Sequence, residues 1–96
     1  MSGILRMLLL AAILLAAAPA PAAERVVTLD IDNVTCELCA PIVGRVLSRV
    51  PGVRQVDVSE RDGRATARVT FDDTRTTVTA LVEATTNAGY PSRVAR

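Results

Sequence analysis

The pattern of apolar and polar positions along the chain predicts a short series of strands and helices. Val27, Leu29 and Ile31 alternate with polar residues, which is the period of a strand with one buried face. Apolar residues then recur at helical spacing and end before Pro51-Gly52, which predicts a helix that stops there. The apolar positions of this helix are Ile42, Val43, Val46, Leu47 and Val50.

Two strands joined by a tight turn are predicted next. Val56 and Val58 fall on one face of the first of them. The segment from Glu60 to Gly63 has the composition of a turn, since glycine supplies the positive φ that a tight hairpin needs. The second of these strands has the most regular alternation in the chain, with Ala65, Ala67, Val69 and Phe71 on its apolar face.

A second helix and a short last strand complete the predicted elements. Asp72 and Asp73 are expected to start the helix, where carboxylates favour the positive end of the helix dipole. Gly89 is its expected end, and residues 90–94 form a last strand in which Pro91 suits a sheet edge. The apolar face of the helix consists of Val78, Leu81, Val82, Thr85 and Ala88.

The order of these elements indicates the fold class. Strand, helix, strand, strand, helix, strand is the βαββαβ order of a ferredoxin-like α+β sandwich. Right-handed crossovers place both helices on one face of a four-stranded antiparallel sheet. No linker divides this region, so one domain is predicted.

The first 22 residues predict a cleaved secretory signal peptide. Arg6 precedes twelve consecutive apolar residues, and small residues and prolines follow. The apolar run is shorter than the roughly 20 residues that span a membrane. Cleavage after Ala22 leaves a mature domain of residues 23–96, and cleavage after Ala23 leaves residues 24–96. The sequence therefore predicts a protein exported to the periplasm.

Charge and composition exclude several classes of function. The mature segment carries ten arginines and ten acidic residues and has no basic run, which gives no basis for nucleic-acid binding. The chain has no histidine, so sites built on imidazole are excluded. Both methionines leave with the signal peptide. Cys36 and Cys39 are therefore the only soft metal ligands of the mature segment.

The two cysteines form the one motif with evident chemistry. They are three residues apart, after the first predicted strand and at the start of the first helix. Free N–H groups and the positive end of a helix dipole favour thiolate over thiol at this position. Two thiolates without further soft donors suit a soft ion that accepts two ligands, such as mercuric ion or copper(I).

Other interpretations of the pair remain open on these residues alone. The cysteines could form a structural disulfide in an oxidising compartment. They could be a redox-active dithiol, although the element order differs from a thioredoxin-like fold. Zinc shared between two chains is a third interpretation, because zinc takes four ligands.

The mature segment resembles the heavy-metal-associated domain family, and within it the mercuric-ion-binding branch of mercury-resistance systems. The resemblance runs from Val26 to Arg96 and rests on Thr35-Cys36-x-x-Cys39 together with the stretches 69–74 and 88–92. Asn33-Val34 replaces the Gly-Met pair that usually precedes the motif, and Glu37-Leu38 stands between the cysteines where small or uncharged residues are common.

The resemblance implies a monomeric periplasmic carrier and not an enzyme. Such a protein binds one mercuric ion through Cys36 and Cys39 and passes it by thiol exchange to an inner-membrane mercuric transporter or a metal-pumping ATPase. Copper(I) is the alternative cargo within the same fold, and a small thiol–disulfide exchange protein is the alternative from another class.

Three further residues have two interpretations each. Tyr90 lies near the metal loop in relatives, and it could equally be a packing residue. Arg45 and Arg49 fall on the outer face of the first helix. They could guide a partner to the site, or they could form an ordinary solvated face.

Overall fold

The structure is a computed structural model that describes residues 23–96. The predicted signal peptide, residues 1–22, lies outside the described residues. The elements in chain order are β1 (Glu24–Ile31), α1 (Cys39–Ser48), β2 (Val53–Arg61), β3 (Arg64–Asp72), α2 (Val78–Asn87) and β4 (Ser92–Val94). Neither of these two helices is long and apolar enough to cross a bilayer.

The four strands form one antiparallel sheet in the order β2-β3-β1-β4. β1 pairs with β3 along its whole length, from Glu24 opposite Asp72 to Ile31 opposite Ala65. β4 pairs with the end of β1, where Ile31 lies opposite Ser92. The first and third strands are therefore central and β2 and β4 are edges, which confirms the predicted ferredoxin-like α+β fold.

Both helices pack against the same face of the sheet. The alternation predicted for β1 and β3 is observed, and the inward residues form one cluster with side chains from both helices. Complete burial of each large apolar side chain contributes about 1.5–3 kcal/mol. The largest fully buried apolar side chains of this cluster are Phe71, Leu29, Ile31, Leu47, Leu81, Val34, Val43 and Val69.

The β2–β3 connection is the tight hairpin that the sequence predicts. Arg61 pairs with Arg64, so Asp62 and Gly63 alone form the loop. Both loop residues have positive φ, 53° and 76°. Positive φ at both central positions is the geometry of a type I′ turn, which matches the right-handed twist of the paired strands. The turn places the hairpin tip beside the segment that follows β1, because the Val34 N–H donates to the Gly63 carbonyl at 3.1 Å.

The predicted start of the second helix is wrong. Asp72 is the last residue of β3, and Asp73 follows in a turn. The helix begins at Val78, and the Thr77 side chain caps it by accepting the Ala80 N–H at 3.1 Å. The last strand is also shorter than predicted, since β4 starts at Ser92.

Candidate metal centre

The two cysteines lie at the N-terminus of α1, as the sequence predicts. Cys36 is exposed in the segment before the helix, whereas Cys39 is the first helical residue and is buried. Their Cα atoms are 5.2 Å apart, and the sulfur atoms are joined in a disulfide. The structure is therefore that of the oxidised pair.

The N-terminus of α1, where the sulfurs lie, has no capping side chain. Leu38 occupies the N-cap position. The Cys39 N–H donates to the Cys36 carbonyl at 3.1 Å, and Pro41 has no N–H to contribute. The positive end of the helix dipole is therefore not neutralised by a capping side chain, and it favours negative charge on a reduced sulfur.

The segment that carries the cysteines is attached to two other parts of the chain. The Asp32 N–H donates to the Pro91 carbonyl at 2.9 Å, and the Val34 N–H donates to Gly63. Asn33 has a φ of 67°, which asparagine tolerates, and its side-chain amide donates to the Gly89 carbonyl at 3.5 Å. Val34 is completely buried in the core. The pair Asn33-Val34 thus provides both the turn and the apolar anchor that this loop requires.

An ion-pair cluster at Asp32 was not predicted from the sequence. Arg93 of β4 donates to Asp32 Oδ2 at 3.0 Å, and Arg64 Nε lies 3.8 Å from Oδ1. All three side chains are at least one-third exposed, so the cluster contributes little to stability. It does connect the end of β1 to both neighbouring strands, and no local pattern indicates it.

Tyr90 packs partly buried against the core cluster, which includes Cys39. Its backbone N–H donates to the Thr85 carbonyl at 2.8 Å. This arrangement supports the interpretation of Tyr90 as a packing residue. The residues on either side of Tyr90 are bonded to the segment before the cysteines, because the carbonyls of Gly89 and Pro91 accept hydrogen bonds from Asn33 and Asp32.

The outer surface of α1 differs from the prediction. Ile42 is one of the apolar positions of the predicted helix, yet it is 43% exposed, and Leu38 is 69% exposed. Both belong to a shallow groove of about 400 Å³ on this surface, next to the cysteines. We call it the α1 groove, and its lining residues are Leu38, Pro41, Ile42, Arg45, Val46 and Arg49. Arg45 and Arg49 thus lie on the outer face, as the sequence predicts. The exposed apolar side chains beside them are not predicted.

Within residues 23–96, no group of three or more cysteine and carboxylate side chains is arranged to hold a metal ion. The cysteine pair is instead a two-sulfur arrangement. Two thiolates meet the needs of a soft ion that binds two ligands in a nearly linear geometry.

Comparison with known proteins agrees with this geometry. The mercuric transport protein periplasmic component of Pseudomonas fluorescens is 47% identical over 88 residues, which cover 90% of this chain and 94% of the relative. The crystal structure of oxidized MerP from Ralstonia metallidurans CH34 has a TM-score of 0.70 and 43% identity, and the match covers 77% of this chain and 100% of MerP.

A second solved structure is that of the mercury-bound form of MerP, the periplasmic protein from the bacterial mercury detoxification system. It has a TM-score of 0.64 and 44% identity, with the same coverage of 77% and 100%. The family model of the heavy-metal-associated domain matches residues 28–91, which include both cysteines, four of the six elements in full and the second half of β1. The chain therefore belongs to the heavy-metal-associated domain family.

Proposed function

We propose that this protein is a periplasmic carrier that binds one mercuric ion on Cys36 and Cys39 and passes it to a membrane transporter. The observation that carries the proposal is the meeting of two sulfurs at an uncapped helix N-terminus, where Cys36 is exposed to solvent. The relative from Pseudomonas fluorescens, a mercuric transport protein periplasmic component, supports the cargo and the compartment. Residues 1–22 would then be the signal peptide that directs export.

The bound state requires the disulfide to be reduced first. A dithiol donates two electrons and two protons to the sulfurs and is itself oxidised to a disulfide. Mercuric ion then replaces the two thiol protons and binds both sulfurs as thiolates. The mercury remains in the same oxidation state, and no other bond in the cargo is made or broken. This chemistry describes a carrier and not an enzyme.

Transfer follows from the unequal exposure of the two sulfur-bearing residues. An incoming thiolate from the acceptor adds to the bound ion and forms a three-coordinate intermediate. One bond between mercury and a protein sulfur then breaks, and that sulfur takes up a proton. Because Cys36 is exposed and Cys39 is buried, we propose that Cys36 releases the ion first. The acceptor is an inner-membrane mercuric transporter or a metal-pumping ATPase, and the carrier acts as a monomer.

Replacing either cysteine tests the cargo site. With the protein reduced, we expect one mercuric ion per chain, and we expect Cys36→Ser or Cys39→Ser to weaken binding by at least about 100-fold. Groups that only orient a ligand are already worth about 10–100-fold. The measurement is a competition titration against a small thiol of known affinity. Thr35→Ala is the matched control, since it alters the same loop and keeps both sulfurs. Unchanged affinity in both serine variants would eliminate this site.

Two alternatives are separated by further measurements on the reduced protein. Competition between mercuric ion and copper(I) at controlled free-ion levels decides the cargo, because two thiolates accept either ion. We expect mercuric ion to prevail. Catalytic turnover in a disulfide-reduction assay would instead favour a thiol–disulfide exchange protein.

A further inference from the structure

The face of the sheet that lies away from the helices carries a shallow depression of about 460 Å³ beside the β2–β3 hairpin. We call it the open-face depression. It shares no residue with the cysteine segment or with the α1 groove. The residues that line it include Ser59 and Arg61 of β2, Arg64 and Thr66 of β3, Asp30 of β1 and Arg93 of β4.

The register of the hairpin brings four donor side chains of the depression together. Arg61 lies directly opposite Arg64, and Ser59 lies directly opposite Thr66. Ala65, between Arg64 and Thr66, is buried on the helix side, so by alternation all four side chains lie on the open face. Opposite residues have Cβ atoms about 5 Å apart, and alternate residues of a strand are about 7 Å apart. Two guanidinium groups and two hydroxyl groups thus surround one small area.

The carboxylates near this area lie on its far side, on β1 and just beyond its end. Asp32 accepts a hydrogen bond from Arg93 at 3.0 Å and lies 3.8 Å from Arg64 Nε. Asp30 lies opposite Arg93 in the register of β1 and β4. Arg61 is exposed on an edge strand and forms no ion pair with any residue from 23 to 96. The β2 side of the depression therefore keeps a positive charge that the described residues do not pair.

The two opposed arginines are unfavourable on their own. Like charges directly opposite each other destabilise an antiparallel pair of strands. The nearby carboxylates of the hairpin do not separate them, because Glu60 lies opposite the buried Ala65 on the helix side, and Asp62 does not line the depression. An anion between the two guanidinium groups replaces this repulsion with attraction. The planar fork of arginine matches the oxygen atoms of a phosphate group in particular.

We propose that the open-face depression binds a phosphate group between Arg61 and Arg64, with the hydroxyl groups of Ser59 and Thr66 as further donors. Because the donors come from two rows of the sheet, a tetrahedral group satisfies them better than a planar carboxylate. All four side chains are exposed, so the binding is weak and decreases with salt. A lipid headgroup and a soluble phosphate both supply this chemistry. The site does not depend on the cysteines or on a bound metal ion.

The test follows the backbone amide resonances of the oxidised chain, residues 23–96, as inorganic phosphate replaces chloride at constant ionic strength. We expect saturable shifts at Arg61, Arg64 and Thr66. Arg61→Gln and Arg64→Gln should each weaken phosphate binding about tenfold, which is the loss expected for one charge-assisted hydrogen bond. Arg61→Gln should also raise the free energy of unfolding in chloride, because it removes the like-charge pair. Phosphate should stabilise the wild type and not this variant.

Arg68→Gln is the matched control. Arg68 is exposed on the same strand and the same face as Arg64, but it lies opposite Asp57 and not opposite an arginine. An equal loss of affinity in Arg68→Gln and Arg61→Gln, or the absence of saturable shifts in the wild type, would overturn the phosphate site.

Vesicles distinguish the two sources of the phosphate group. Sedimentation with phosphatidylglycerol vesicles but not with phosphatidylcholine vesicles, abolished by Arg61→Gln, would support the site and identify a lipid headgroup. Binding of inorganic phosphate without sedimentation would support the site and identify a soluble phosphate. Mercury is absent from all of these measurements, so loss of the phosphate site would leave the carrier function standing.

Discussion

At the scale of single residues, Asp72 shows how a carboxylate takes a role other than the expected one. Its Oδ1 atom accepts the Thr74 hydroxyl at 2.6 Å and the Thr74 backbone N–H at 2.9 Å. These hydrogen bonds, with smaller contributions from Arg54 and Arg75, hold the pKa of the carboxyl below its ordinary value of 3.8. Asp72 thus closes the turn after β3 and does not start α2.

Replacing Thr74 with valine should therefore destabilise the protein in a pH-dependent way. The lowered pKa means that the hydrogen bonds to ionised Asp72 stabilise the fold fully above pH 3.8, and that this stabilisation is lost as pH falls through the folded-state pKa. Thr74→Val should have a lower free energy of unfolding than wild type at neutral pH, and the difference should shrink in acid. Urea unfolding across this pH range measures it. Thr66→Val, at an exposed strand position, is the control, and a deficit independent of pH would contradict the assignment.

At the scale of elements, the strands were easier to predict than the helix boundaries and faces. Alternation in β1 and β3 identifies the buried side directly, because successive residues point to opposite faces. On α1, Ile42 and Val43 are adjacent, and both are compatible with one broad apolar stripe, yet only Val43 is fully buried. For α2, the carboxylates of Asp72 and Asp73 predict a start several residues ahead of the observed one at Val78. The local hydrogen bonds of Asp72 favour a turn, which leaves Thr77 as the cap.

Removing the cap tests the start of α2. Thr77→Ala deletes the oxygen that accepts the Ala80 N–H, and it should lower the free energy of unfolding by about 1 kcal/mol. Thr79→Ala is the control, since Thr79 is an exposed helical position where alanine is the better helix former. Chemical denaturation of both variants provides the comparison. Equal losses in the two variants would show that Thr77 has no capping role.

At the scale of the whole molecule, stability depends on a small core. The core of a domain of this size rarely supplies more than about 3–5 kcal/mol of net stability. Phe71 is its largest fully buried side chain and lies on a central strand. The sequence predicted this core from alternation. It did not predict the ion pairs at Asp32, because Arg93 is 61 residues away in sequence and local periodicity carries no information about such a contact.

Truncating Phe71 should remove most of the free energy of unfolding. Phe71→Ala removes a buried ring at a cost of about 3–5 kcal/mol, so we expect a largely unfolded chain in circular dichroism. Phe71→Leu retains part of the volume and should stay folded with a lower midpoint of denaturation. Val26→Ala, on the open face where Val26 is 53% exposed, should change stability by no more than about 0.5 kcal/mol. A folded, fully stable Phe71→Ala variant would refute the importance of this residue.

The backbone bonds from Asp32 to Pro91 and from Val34 to Gly63 also make these two amides built-in reporters of the cysteine segment. Each N–H is protected from exchange with deuterated water only while the segment stays attached to its neighbour. Comparing their exchange rates in the oxidised, reduced and mercury-loaded protein would show which attachment opens at each stage. The carrier cycle can thus be followed at two backbone positions, without a label on either sulfur.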